Sequence, residues 1–113
     1  LNGKEDYLTQ GEAYLLLRKR LLLTQSEMAA GLHISRHMYS ELERDKLKED
    51  YSSSASLVLE EGVQPSERCL IYRKRAKMTQ EQVAKELKKS RLWVNKMENG
   101  YVDCDELIWF WEC

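Results

Sequence analysis

Two stretches decide the fold: TQSEMAAGLHISRHMYSELERD at residues 24–45 and TQEQVAKELKKSRLWVNKMENG at residues 79–100. A shift of 55 positions lays Thr24-Gln25, Ala29, Leu32, Ser35, Arg36 and Glu43 on Thr79-Gln80, Ala84, Leu87, Ser90, Arg91 and Glu98. The register extends backwards without a gap. Glu12 meets Glu67, Leu15 meets Leu70, and Arg18-Lys19-Arg20 meets Arg73-Lys74-Arg75. Identity this dense at one fixed offset marks a duplication. It divides the chain into a first copy at 8–45, a connecting segment at 46–62, and a second copy with its tail at 63–113.

Each copy reads as three helices in quick succession. The first runs from about Gln10 to Leu22, and in the second copy from Pro65 to Lys77. Pro65 suits a first helical position because its missing N–H has no partner there anyway. The second helix starts after Thr24 and Thr79. Thr24 with Glu27, and Thr79 with Gln82, have capping-box spacing, worth about 1 kcal/mol per cap. Ser35 and Ser90 cap the third helix. Asn99-Gly100 closes the second copy as a left-handed C-cap, whereas the first ends on Arg44-Asp45 without that glycine. Helical spacing predicts inward faces of Met28, Leu32, Met38, Tyr39 and Leu42 in one copy and Val83, Leu87, Trp93, Val94 and Met97 in the other. Ala29 and Ala84 are small where two helices must approach.

Composition agrees with an all-α fold: five Gly and one Pro in 113 residues, with 42% hydrophobic and 33% charged. No apolar run approaches the roughly 20 residues of a membrane span, so no membrane partner is expected. The N-terminal residues lack a signal peptide's basic-then-apolar order. Cys69, Cys104 and Cys113 form no C-x-x-C, so reduced thiols in a cytoplasmic protein are expected. His33 and His37 have no ligating neighbours in sequence, and neither a metal nor a cofactor is expected.

The pattern Thr-Gln-x-x-Met/Val-Ala-x-x-Leu-x-x-Ser-x-x-x-x-x-x-Leu/Met-Glu, present at 24–43 and 79–98, resembles the lambda-repressor and Cro class of helix-turn-helix domains. The resemblance covers 8–45 and 63–100. It implies an all-α chain of two tandem units whose third helices enter the major groove of double-stranded DNA. The base-facing residues it implies are Arg36, His37, Ser40 and Glu41, and Arg91, Leu92, Asn95 and Lys96. Arg can hold guanine and Asn adenine bidentately. Gln25 and Gln80 match a position that touches the phosphate backbone, and Ser35 and Ser90 can cap a helix and bond a phosphate together. Arg18 with Glu43, and Arg73 with Glu98, match structural salt bridges between the first and third helices. The family usually has Gly in the turn, where φ is positive; His33 and Lys88 stand there instead, at a cost of roughly 1 kcal/mol unless the turn is reshaped. The apolar residue that follows is kept as Ile34 but becomes Lys89.

Charge separates the copies. Residues 8–45 hold five Lys/Arg and five Asp/Glu; residues 63–100 hold ten and four, a balance of +6 inside a chain of net −1. The second copy is thus the better electrostatic partner for DNA, with Arg73, Lys74, Arg75, Lys85, Lys88, Lys89, Arg91 and Lys96 set towards phosphates. The first copy either reads a half-site weakly or serves packing or protein interaction. Segment 46–62 reads as a Ser-rich linker or as a short helix capped by Ser56. The acidic, aromatic tail at 101–113 reads as a last helix that covers the second core, or as a surface for a homodimer or protein partner.

The expected function is that of a sequence-specific transcriptional regulator, a repressor of phage or mobile-element type in a bacterial cytoplasm. It would read adjacent half-sites with two recognition helices. The rival is a protein-interaction module whose partner is a polymerase, a toxin or a phage packaging component. No Gly-rich phosphate loop, nucleophile–base pairing or metal spacing suggests an enzyme.

Overall fold

The computed structural model describes residues 8–47 and 62–112. Among them are seven helices and no strand: α1 (Gln10–Leu21), α2 (Gln25–Leu32), α3 (Arg36–Glu43), α4 (Pro65–Arg75), α5 (Gln80–Leu87), α6 (Arg91–Glu98) and α7 (Asp105–Glu112). The fold is all-α, in two compact units that divide after Gly62. Both readings of segment 46–62 fall largely outside the described residues. No described helix is long and apolar enough to cross a membrane.

The helix starts follow the side chains named above. Thr24 Oγ1 accepts from the Glu27 N–H at 3.1 Å while the Glu27 carboxylate accepts from the Thr24 N–H at 2.8 Å. Those bonds hold the Glu27 carboxyl below its ordinary range. Thr79 and Gln82 repeat the exchange at 3.1 and 2.8 Å. A third box, Thr9 with Glu12, opens α1.

The duplication extends to the backbone. Leu22, His33 and Asp45 have φ of +57, +59 and +60°, and Lys77, Lys88 and Gly100, each 55 positions on, have +57, +57 and +76°. The turns at His33 and Lys88 therefore keep the left-handed geometry without glycine. The chain bears the roughly 1–2 kcal/mol Cβ penalty at each. In return the exposed carbonyls of α2 and α5 are satisfied: Ile34 N–H donates to Ala29 O at 3.0 Å and Lys89 N–H to Ala84 O at 2.9 Å.

At the ends of the units the two copies exchange small and polar residues. In the first, Asp45 caps α1, its carboxylate accepting from Gly11 N–H at 2.8 Å and from the Thr9 hydroxyl. A Cβ on Gly11 would lie 2.6 Å from the carbonyl oxygens of both Leu42 and Glu43, so glycine lets α1 meet the end of α3. In the second, Ser66 replaces Gly11 and Gly100 replaces Asp45; a Cβ on Gly100 would approach Ser66 Oγ at 3.4 Å. Gly11→Ala is expected to destabilise the first unit by about 1–3 kcal/mol, because the atoms it meets are backbone and cannot rotate away. Urea unfolding followed by far-UV circular dichroism measures this. A midpoint equal to that of a Ser66→Ala control would refute the close approach.

The first core joins Ala13, Tyr14, Met28, Ala29, Tyr39 and Leu42, with Leu32 and Ile34 against it. Met38 is half-buried and stands outside it, since Tyr39 and Leu42 already form the inward stripe of α3. Tyr14 and Tyr39 meet edge to face at 6.3 Å, and the Tyr39 hydroxyl donates to Tyr14 O at 3.3 Å. Burial, aided by the Glu43 carboxylate, pushes the Tyr39 phenol far above its ordinary range.

In the second unit Cys69 and Val94 occupy the places of those tyrosines. The last helix supplies the missing volume. Leu107 is fully buried in the same cluster as Cys69, Val83, Ala84, Val94, Met97 and Cys104, with Ile108, Phe110 and Trp111 packed on it. The α7 segment thus covers the second core, as the first reading of the tail expected. Trp109 remains 69% exposed. Arg68 Nη2 donates to Glu112 at 2.6 Å and the Tyr72 hydroxyl to the same oxygen at 2.8 Å, pinning α7 to α4.

Cys69 and Cys104 lie in one buried cluster, and burial raises the pKa of both thiols. Since the thiolate is the reactive form, both should resist iodoacetamide in the native protein and react once it is unfolded. Peptide-resolved mass spectrometry would show this. Fast native labelling of either would mean that α7 leaves the core readily.

Candidate nucleic-acid interface

The second unit gathers the charged candidates. Ser90 caps α6, its Oγ accepting from Trp93 N–H at 3.1 Å and leaving the hydroxyl proton to donate outward. The buried side of α6 is Val94, Met97 and Glu98. Its other side therefore presents Arg91 and Lys96, both exposed, and Asn95, half-buried. Lys85 and Lys88, on α5 and in the turn after it, are exposed too. Arg91 also borders an open hollow of about 630 Å³, lined otherwise by Arg73, Lys74, Lys77, Met78, Thr79, Gln80 and Glu81.

Beneath this face sits an ion pair. Arg73 Nε donates to Glu98 Oε2 at 2.7 Å and Nη2 to Oε1 at 3.0 Å, with the side chains only 10% and 0% exposed. Arg73 also donates to Met78 O at 3.0 Å. It is thus a structural residue, as the resemblance implies, and is not available to phosphate, which corrects its place among the cations above. Gln80 Nε2 donates to Glu98 Oε1 at 3.1 Å, Asn95 Nδ2 to Gln80 Oε1 at 3.4 Å, and Asn99 Nδ2 to Asn95 Oδ1 at 3.2 Å. A chain of amides runs from the buried carboxylate out to the α6 surface. It fixes which way each amide points, something the separate residues in the sequence could not disclose.

Lys89 is engaged as well. It pairs with Glu106 at 3.7 Å and lies over the Trp93 ring at 5.4 Å. Lys89 stands where Ile34 does in the first unit, and its charge is shared with the acidic tail. Lys77 is the residue the sequence reading missed. It extends the basic run into the turn, and its left-handed backbone places it on the hollow beside Arg91.

The first unit has the same frame with a weaker surface. Arg18 Nε meets Glu43 Oε2 at 2.6 Å, at 21% and 8% side-chain exposure, and Gln25 Nε2 donates to Glu43 Oε1 at 3.0 Å. Ser35 caps α3 through Met38 N–H at 3.1 Å. Arg36 and His37 are exposed and Ser40 half-buried. Ser40 stands where Asn95 does, and the amide chain is not repeated. Leu22, 90% exposed, stands where Lys77 does. Gln25 and Gln80 both turn an amide N–H inward to a carboxylate, so a phosphate would meet only their second N–H.

Comparison with family models, curated proteins and solved structures gave no match.

The assignment of a face therefore rests on the chain's own residues. In the second unit the structure brings Gln80, Arg91 and Asn95 together by hydrogen bond or shared hollow. Among the described residues, no three His, Cys, Asp or Glu side chains cluster as a metal site would require.

Proposed function

We propose that the chain is a sequence-specific double-stranded DNA-binding regulator of transcription, a repressor of phage or mobile-element type. The observation that carries this reading is the α6 surface. Exposed Arg91 and Lys96 flank an Asn95 amide oriented from a buried ion pair, next to a hollow bordered by Lys74 and Lys77. Lysines hold phosphates, while Arg91 and Asn95 read base edges. The resemblance to the lambda-repressor and Cro class supports the same assignment. In this reading α3, with Arg36, His37 and Ser40, is a second and weaker head. Joining two heads in one chain makes the second contact intramolecular and raises affinity without new contacts.

Selection of duplexes from a random pool by the intact chain tests the proposal. A bipartite motif supports two heads, and a single short motif assigns reading to the second unit. The absence of any enriched sequence, even at low salt, would overturn it. The competing reading is a protein-interaction module. The neutral charge of residues 8–45 and the protruding Leu21 and Leu22, 53% and 90% exposed, favour it. It would be preferred if the chain bound no DNA.

A further inference from the structure

We infer that Leu92 reads the 5-methyl group of a thymine; this rests on the DNA-binding reading above and names a base chemistry for one position. Leu92 is the second residue of α6 and 61% exposed. The second core is assembled without it. Helical spacing places it in one row with Asn95 and Lys96, three and four residues on, beside Arg91. Every other member of that row carries hydrogen-bonding groups. An isobutyl group set among them can neither donate nor accept.

The chemistry of the major groove then narrows its target. Purine N7, O6 and N6 and cytosine N4 are polar, and covering them with Leu would strip their water without replacing a hydrogen bond. The thymine methyl is the apolar group that unmodified B-DNA displays there. Leu92 thus selects thymine twice, by apolar contact and by the penalty it imposes on the other edges. Its counterpart 55 positions earlier is His37, a donor or acceptor with no such preference. The two heads therefore favour different bases, and the preferred site is asymmetric.

The test uses the duplex selected by the intact chain, with each thymidine replaced singly by deoxyuridine. That change deletes the methyl and keeps both base pairing and the O4 acceptor. One thymidine is expected whose replacement weakens binding about fourfold, the factor for one buried methyl group. Leu92→Ala should weaken the thymidine duplex to a similar degree and abolish the difference from deoxyuridine at that position alone. Because the side chain lies outside the core, its thermal unfolding should match that of the parent chain. A sequence-specific complex indifferent to every such replacement, or a uridine effect that persists in Leu92→Ala, would overturn this inference and leave the regulator reading standing. Binding without any sequence preference would remove both.

Discussion

Arg73→Met is expected to destabilise the second unit by about 3–5 kcal/mol, since it leaves the Glu98 carboxylate buried with its charge unpaired. Glu98 is 2% exposed, and its two oxygens accept from Arg73 at 2.7 and 3.0 Å. The methionine keeps much of the arginine's volume, so the loss measures charge and hydrogen bonds rather than a cavity. All three tryptophans, Trp93, Trp109 and Trp111, lie in the second unit, so urea unfolding followed by tryptophan fluorescence reports on that unit. Arg18→Met should cost less, because the Arg18 side chain is 21% exposed and water can partly replace it. Adding Glu98→Gln to Arg73→Met should recover a large part of the loss by removing the stranded charge. A loss below about 1 kcal/mol for Arg73→Met would show that the carboxylate is better solvated than its burial indicates.

The second large effect concerns DNA and follows from the proposed function. With about six phosphate contacts, affinity should fall on the order of 10³-fold between 50 and 200 mM salt. Lys85→Ala should weaken selected and random duplexes alike and reduce the salt slope by about one unit. Arg91→Ala should cost about 1–3 kcal/mol on the selected duplex and relax preference at one base pair. Fluorescence anisotropy across a salt series separates these outcomes. Equal losses on selected and random DNA for Arg91→Ala would make it a phosphate contact, and a salt-independent affinity would sink the electrostatic account.

Much of this protein is legible in its sequence because short-range chemistry governs it. Helix starts follow from Thr24, Ser35, Thr79 and Ser90, whose hydroxyls cap backbone N–H groups three residues on. The inward stripes follow from helical spacing, apart from Met38. The Arg18–Glu43 and Arg73–Glu98 pairs came from family resemblance, and the structure closes both. Segment charge alone separates a basic second copy from a neutral first one.

What the sequence left open was settled by contacts between residues far apart in the chain. Cys69 and Val94 are smaller than the tyrosines they replace, and only packing shows that Leu107 of α7, with Cys104 just before that helix, completes the core. The exchange of Gly11 and Asp45 for Ser66 and Gly100 stands in the sequence, but its reason is the contact of α1 with the end of α3. Arg73 and Lys89 count as cations in any tally of the sequence. The tertiary structure removes the first to a buried carboxylate and shares the second with Glu106. Local hydrogen bonds and periodicity are written residue by residue and determine the seven helices of the described residues and their repeat. The availability of a charge depends on which side chains the packed helices bring within a few ångströms, and only the tertiary structure decided that.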